Sequence, residues 1–311
     1  MGEIWTMGEL LVEVMRDKPD IGFSACGTFL GPFPSGAPAI FIDTAARLGH
    51  KVGIIGAVGK DDFGACLRTR LEWDGVDCRY VARLKGSTGT AFVAYSSDGS
   101  RNYIFHFDGT PAVKAIFEPL ERVGELSYFH VMGCSLMASD DFRKEIFAAT
   151  RWFQDRGAEI SFDPNIRPEL LGGRPLSEVI GPVLEHASIL FPGVQELSLM
   201  SGERDVERGV VKMFENPALK ILVLKLGAKG CVVYTRDGQI AVPSYPITEK
   251  DPTGAGDCFD AGFLCGLSEA RELEACAKMA SAAGALNAAA FGPMEGDISR
   301  VTVSHMTGLA L

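Results

Sequence analysis

The chain is expected to fold as an α/β protein: a doubly wound, mostly parallel sheet flanked by helices, with a small β-sheet beside it. Three observations predict this. Short apolar runs alternate with helical spacing through much of the sequence. A run of small residues, Asp251-Pro252-Thr253-Gly254-Ala255-Gly256-Asp257, separates an extended segment from a helix. Residues 88–107 and the Gly- and Pro-rich residues 17–35 break the alternation.

The first segment, Glu3 to Val14, reads as a strand broken at Gly8, with Glu9 and Glu13 facing either a ligand or solvent. Residues 17–35 suit irregular β structure. Ile40 to Gly49 repeats apolar residues at helical spacing, and Gly49 closes that helix. Val52 to Val58 is a buried strand, followed by a helix through Leu71 and an extended piece from Val76 to Val81. Thr88 to Tyr95 and Arg101 to Phe107 form a hairpin turning at Asp98-Gly99. Further strands are expected at 126–131, 159–163, 189–191 and 221–226, then a hairpin of 232–234 with 239–242. Ala275 to Ala290 is a small-residue helix suited to close packing. The economical division is one domain, 1–311, with a β lid built from about 13–35 and 88–110, which is also a candidate dimer surface.

The 311 residues suffice for a large core, and 47% apolar content suits a folded chain. A formal charge of -10 argues against a nucleic-acid-coating protein. No apolar run approaches the roughly 18 residues of a membrane span. The start lacks a basic region and carries Glu9 and Glu13, so a signal peptide is not expected. The eight cysteines form no Cys-x-x-Cys pair, which suits buried thiols in a reducing cytoplasm.

The turn at 251–257 is where chemistry is expected. Small residues at a helix N-terminus leave backbone N–H groups and a partial positive charge free for an anion. Gly254, Ala255 and Gly256 permit close approach, and Asp257 is placed to take a proton from an attacking hydroxyl. The bland alternative is a capped helix whose glycines only turn the chain. Asp163-Pro164-Asn165-Ile166-Arg167 follows a strand, with Arg167 either an anion clamp or a surface arginine. Glu196 either orients a metal-bound water or favours its own helix N-terminus. Lys225-Leu226-Gly227-Ala228-Lys229-Gly230 is either a nucleotide-facing loop or an ordinary turn. Neither a Walker-type loop nor a Gly-x-Gly-x-x-Gly opening a first helix occurs.

Taken together, the chain resembles the ribokinase-like, or PfkB, family of carbohydrate kinases. The resemblance rests on Ser35-Gly36-Ala37-Pro38-Ala39 before Arg47-Leu48-Gly49, on Gly56-Ala57-Val58-Gly59-Lys60-Asp61-Asp62-Phe63-Gly64, and on the three motifs above, in the family's order. It spans nearly the whole chain and looks closer to fructokinase and 2-keto-3-deoxygluconate kinase relatives than to nucleoside kinases.

The resemblance implies ATP-dependent phosphorylation of a small carbohydrate, a ketohexose or a keto sugar acid. Asp257 would be the base, and the N–H groups of Ala255, Gly256 and Asp257, with Gly254, would hold the developing charge. Arg167 and Asn165 would touch phosphate or substrate. Lys225, Gly227, Ala228, Gly230 and Asn287 would line the nucleotide side. Glu196 would act on the water shell of Mg²⁺, and the Asp251 loop is a possible site for K⁺. Glu9, Glu13, Gly36, Ala37, Tyr103 and Phe105 would surround the sugar. The sequence departs from the family pattern at Ser35, Ile40 and Gly193, and carries Glu9 and Glu13 where an Asp is common. A nucleoside kinase and a non-catalytic ATP- or sugar-binding member are the alternatives.

Overall fold

A computed structural model describes residues 2–98 and 100–311, so Gly99 of the expected Asp98-Gly99 turn lies outside the described residues. In chain order the strands and helices are β1 (Glu3–Met7), β2 (Leu11–Arg16), β3 (Phe29–Ser35), α1 (Ala37–Arg47), β4 (Val52–Gly59), α2 (Asp62–Trp73) and β5 (Val81–Leu84). Then come β6 (Gly89–Tyr95), β7 (Arg101–His106), β8 (Leu126–Met132), α3 (Gly133–Ala138), α4 (Asp140–Gln154) and β9 (Glu159–Asp163). They are followed by α5 (Pro168–Leu171), α6 (Leu176–Leu184), β10 (Ile189–Leu190), α7 (Val194–Ser201), α8 (Val206–Met213) and β11 (Ile221–Lys225). The last are β12 (Cys231–Tyr234), β13 (Gln239–Val242), α9 (Ala255–Ser268), α10 (Leu273–Ala288) and α11 (Arg300–Thr307).

Nine strands form the main sheet, in the order β13-β12-β11-β10-β9-β8-β1-β4-β5. The pairs from β11 through β5 are parallel, and β12 and β13 add an antiparallel edge. A parallel sheet needs crossover helices, which cover both faces and make its strands apolar throughout. β4 is accordingly buried along its whole length. One core packs Phe41, Phe191, Phe263 and Leu264 between the sheet and α1, α9 and α10; the other packs Phe129, Phe142, Ile146 and Phe153 on the opposite face.

The expected broken strand at 3–14 is two strands in two different sheets. β1 pairs with β4 and β8, whereas β2 pairs with β3 and β6. Gly8 fits only a close approach, because a Cβ there would lie 2.2 Å from Pro38 Cγ. The separate four-stranded sheet has the order β3-β2-β6-β7, assembled from residues far apart in sequence.

Candidate active site

Parallel strands of an α/β sheet end together, and the loops leaving their carboxyl ends build a crevice. Here β1, β9 and β11 end at Met7, Asp163 and Lys225, and residues around all three ends line one cavity. That cavity, about 230 Å³, is bordered by the small sheet through Glu13, Arg101, Tyr103 and Phe105. A second cavity of about 390 Å³ lies on the other side of Gly256 and Lys225.

The 251–257 turn separates the two. Gly254 caps α9 in the left-handed region at φ 78°, and a Cβ on it would lie 2.5 Å from Pro293 O. Ala255 N–H donates to Pro252 O at 3.2 Å. The expected three-donor cradle is therefore reduced to Gly256 and Asp257, which begin the helix without intrahelical partners. Ala255 instead borders the larger cavity.

Asp257 is 8% exposed and faces the smaller cavity. Its Oδ1 accepts from Asn165 Nδ2 at 3.3 Å. Burial, then the Asp163 charge, pushes its carboxyl up to about 8 against the pull of Lys225 and Arg167. Asn165 holds a positive φ of 35°, and its N–H donates to Asp163 Oδ1 at 3.0 Å. This local bond makes the Asp-Pro-Asn sequence turn there.

Glu9 lies between the two sheets, 5% exposed, accepting from Cys134 Sγ at 3.3 Å and from Ser135 Oγ. Burial raises its carboxyl above the usual range. Glu13 Oε1 accepts from Ser35 Oγ at 2.7 Å, while Oε2 is buried without a partner. Burial pushes Glu13 up to about 7. Both acids line the smaller cavity, as do Gly36, Ala37, Ile40, Arg167, Tyr103 and Phe105. Tyr103 and Phe105 stack with ring planes 3° apart. Gly36 meets α1 at φ 104°, and a Cβ there would lie 2.5 Å from Glu9 O.

Glu196 borders the same cavity, and both its oxygens accept main-chain bonds at 2.8 Å, from Ile166 N and Gly193 N. It thus caps α7 and fixes the 163–167 turn, each oxygen keeping a further lone pair for water. Lys225, Gly227, Ala228 and Gly230 line the larger cavity with Tyr245 and Phe259. Asn287 does not line it. It is fully buried, donates to Thr253 O at 2.8 Å and accepts from Gly296 N, so it supports the turn from below. An Asn in a helix of alanines does not reveal from spacing which side it faces.

Asp251 is also fully buried. It accepts from Thr253 N at 3.0 Å, Gly292 N at 3.0 Å and Tyr95 Oη at 3.1 Å. Arg101 Nη1 donates to Thr253 Oγ1 at 3.2 Å and borders the smaller cavity. Sequence reasoning passed over Arg101, Tyr95 and Asp260. Arg101 heads a strand with inward-facing Tyr103 and Phe105, and that alternation was the available signal.

A crevice at the carboxyl ends of parallel strands, a helix start with unpaired N–H groups and a buried carboxylate beside it make up the arrangement expected of a phosphotransferase that acts on a sugar hydroxyl. The chain matches the pfkB family carbohydrate kinase profile over residues 32–299, and it belongs to that family. It is 32% identical to fructokinase-1 of rice over 294 residues, which is 91% of this chain and 90% of the rice protein. An Escherichia coli protein provisionally assigned as a ribokinase II, solved in complex with ATP and Mg²⁺, superposes with a TM-score of 0.90. It is 36% identical, with 98% of this chain and 99% of that one covered. A Vibrio cholerae fructokinase double mutant with fructose, ADP and potassium ion bound gives 0.86 at 26% identity, covering 99% and 98%. No helix among the described residues is long and apolar enough to cross a membrane.

Proposed function

We propose that this sugar kinase transfers the γ-phosphoryl group of ATP to a ketohexose of the fructose type, with Asp257 as general base. The observation that carries the reading is the placement of the Asp257 carboxylate. It is buried at the start of α9, beside the free N–H groups of Gly256 and Asp257, and faces a cavity lined by Glu9 and Glu13. The similarity to fructokinases supports the choice of sugar.

In this reading ATP occupies the larger cavity, its base against the 227–230 loop and its phosphates directed at Gly256. Asp257 takes the hydroxyl proton as the oxygen attacks, and the two N–H groups hold charge on the transferred group. Glu9 and Glu13 accept bonds from sugar hydroxyls, and Glu13 Oε2 has capacity left for one. Arg167 and Asn165 approach the phosphoryl group or the sugar, and the small sheet acts as a lid with Tyr103 and Phe105 over the substrate.

Among the described residues no three His, Cys, Asp or Glu side chains form a metal cage. Glu196, which borders the cavity with a lone pair left on each oxygen, would face the water shell of a nucleotide-bound Mg²⁺, and that ion would supply charge neutralisation for the transferred group. The buried Asp251 loop is the candidate K⁺ site. Dimerisation through the lid's outer face, where Leu30 and Ile104 are each 41% exposed, is part of the same reading.

A keto sugar acid is the second reading. Arg101 and Arg167 border the sugar cavity, and neither makes an ion pair among the described residues. ATP consumption with Mg²⁺ and K⁺ across ketohexoses, aldoses, sugar acids and nucleosides separates the two. We expect fructose to lead, and Asp257→Asn to lower its turnover by roughly 10²–10⁴ while ATP binding persists. Preference for a sugar acid would shift the assignment to the second reading; full activity in Asp257→Asn would remove the base.

A further inference from the structure

Among the described residues, Lys225, Pro252 and Gly256 alone border both cavities. The neck between the cavities is where a phosphoryl group must pass from nucleotide to sugar. Lys225 ends β11, and its main chain bridges to Gly193 at the start of α7. Its Nζ donates to Asp163 Oδ2 at 2.8 Å and to Asp260 Oδ1 at 3.3 Å. A Cβ built on Gly256 would lie 3.7 Å from that Nζ. Nζ therefore sits against the same helix start that presents the free N–H groups.

An ammonium has three N–H donors. One is directed at Asp163 Oδ2 and one is shared between Asp260 Oδ1 at 3.3 Å and Oδ2 at 3.4 Å, which leaves the third for the neck. The neighbouring Gly193 fills none of this space: a Cβ there would meet only Glu196 Oε2, at 3.4 Å. Asp260 lies one helical turn beyond Asp257 and is fully buried, with its hydrogen bonds directed to Lys225. A charged pair inside a protein is costly to bury, and an apolar pair of similar size would serve packing equally well. A lysine aimed at a cavity neck by two carboxylates has a different use.

We propose that Lys225 is a catalytic residue that donates a hydrogen bond to the transferred phosphoryl group, and that Asp163 and Asp260 are positioning residues that aim it. This rests on the reading that ATP fills the larger cavity and Asp257 is the base. As the bond from the γ-phosphorus to the bridging oxygen breaks, that oxygen leaves with the electron pair as ADP. The sugar oxygen forms the new bond and its proton goes to Asp257. Lys225 keeps its own proton throughout; burial opposes its charge, but Asp163, Asp260 and Glu196 together hold it in the ammonium form. Its contact persists as the group moves, so it stabilises the group in transit.

The test compares affinities for ADP and for a non-hydrolysable ATP analogue, both with Mg²⁺, by calorimetry on the wild type and Lys225→Met. We expect the analogue to weaken by about 10–100-fold, ADP to stay within about twofold, and kcat to fall by roughly 10²–10³. A purely structural lysine would weaken both nucleotides in parallel, or neither, and either result overturns the proposal. Should Lys225→Met not fold, Lys225→Met/Asp260→Leu removes the fully buried one of its two orphaned partners and is judged by the same comparison. A dead Asp257→Asn enzyme beside a fully active Lys225→Met enzyme would overturn this proposal alone. A wild type that binds neither nucleotide would overturn the underlying reading with it.

Discussion

Asp257 sits in conflicting surroundings. Burial and Asp163 favour its protonated form, and Lys225 and Arg167 oppose them. A base works only when ionised, and a raised pKa means the ionised form dominates only at higher pH. For the free enzyme, log kcat/KM is therefore expected to rise with pH up to about 8, the value set by burial, rather than to level off near the ordinary carboxylate range. A profile measured from pH 5 to 9 with saturating Mg²⁺ checks this; a flat line over that interval contradicts it. Arg101 carries a second expectation at this scale. It joins the small sheet to the 251–257 turn through Thr253 and borders the smaller cavity. Arg101→Ala is expected to raise KM for the sugar about tenfold, the equivalent of one charge-assisted bond, without moving the denaturation midpoint.

At the scale of elements, α2 and β6 are fastened by one side chain. Asp61 Oδ1 accepts from Gly64 N at 2.9 Å and Thr88 Oγ1 at 2.6 Å, and Oδ2 accepts from Thr88 N at 2.7 Å. Thr88 Oγ1 in turn accepts from Gly59 N at 2.9 Å. Burial alone would raise the Asp61 carboxyl, but the bonds from Thr88 and Gly64 outweigh it and hold it below the usual range. A depressed folded-state pKa gives stability that is present above the unfolded value and lost as pH falls through the folded one. Asp61→Ala is thus expected to cost about 1–2 kcal/mol at pH 7, with the difference from wild type closing below about pH 4. Urea unfolding at pH 7 and at pH 3.5 gives the comparison. An undiminished difference at low pH would assign the cost to packing instead.

For the whole molecule, the legible part of the sequence was the part governed by local rules. Apolar runs such as Val52–Val58 become parallel strands because both faces are covered, and the small residues of Asp251 to Asp257 turn the chain into the start of α9. Long-range assembly was less legible. Glu3 to Val14 reads as one apolar strand, and nothing in its period says that it leaves one sheet at Met7 and enters another at Leu11. Asn287 resembles a lining residue until its amide is seen holding Thr253 O. Ala255 has an unpaired N–H by rule, and loses it to Pro252 O through a turn that only coordinates reveal. The Lys225–Asp260 pair joins residues 35 apart in sequence and has no spacing signature.

That crossing from one sheet to the other is only three residues long, Gly8, Glu9 and Leu10. The middle residue is the acid that Cys134 and Ser135 hold at the cavity wall. A tilt of the small sheet against the main one would bend this joint together with the links at Gly36, at residues 85–88 and after His106, and would carry Glu9 with it. If the proposed reading holds, the acid that meets the sugar is itself part of the hinge on which the cover hangs.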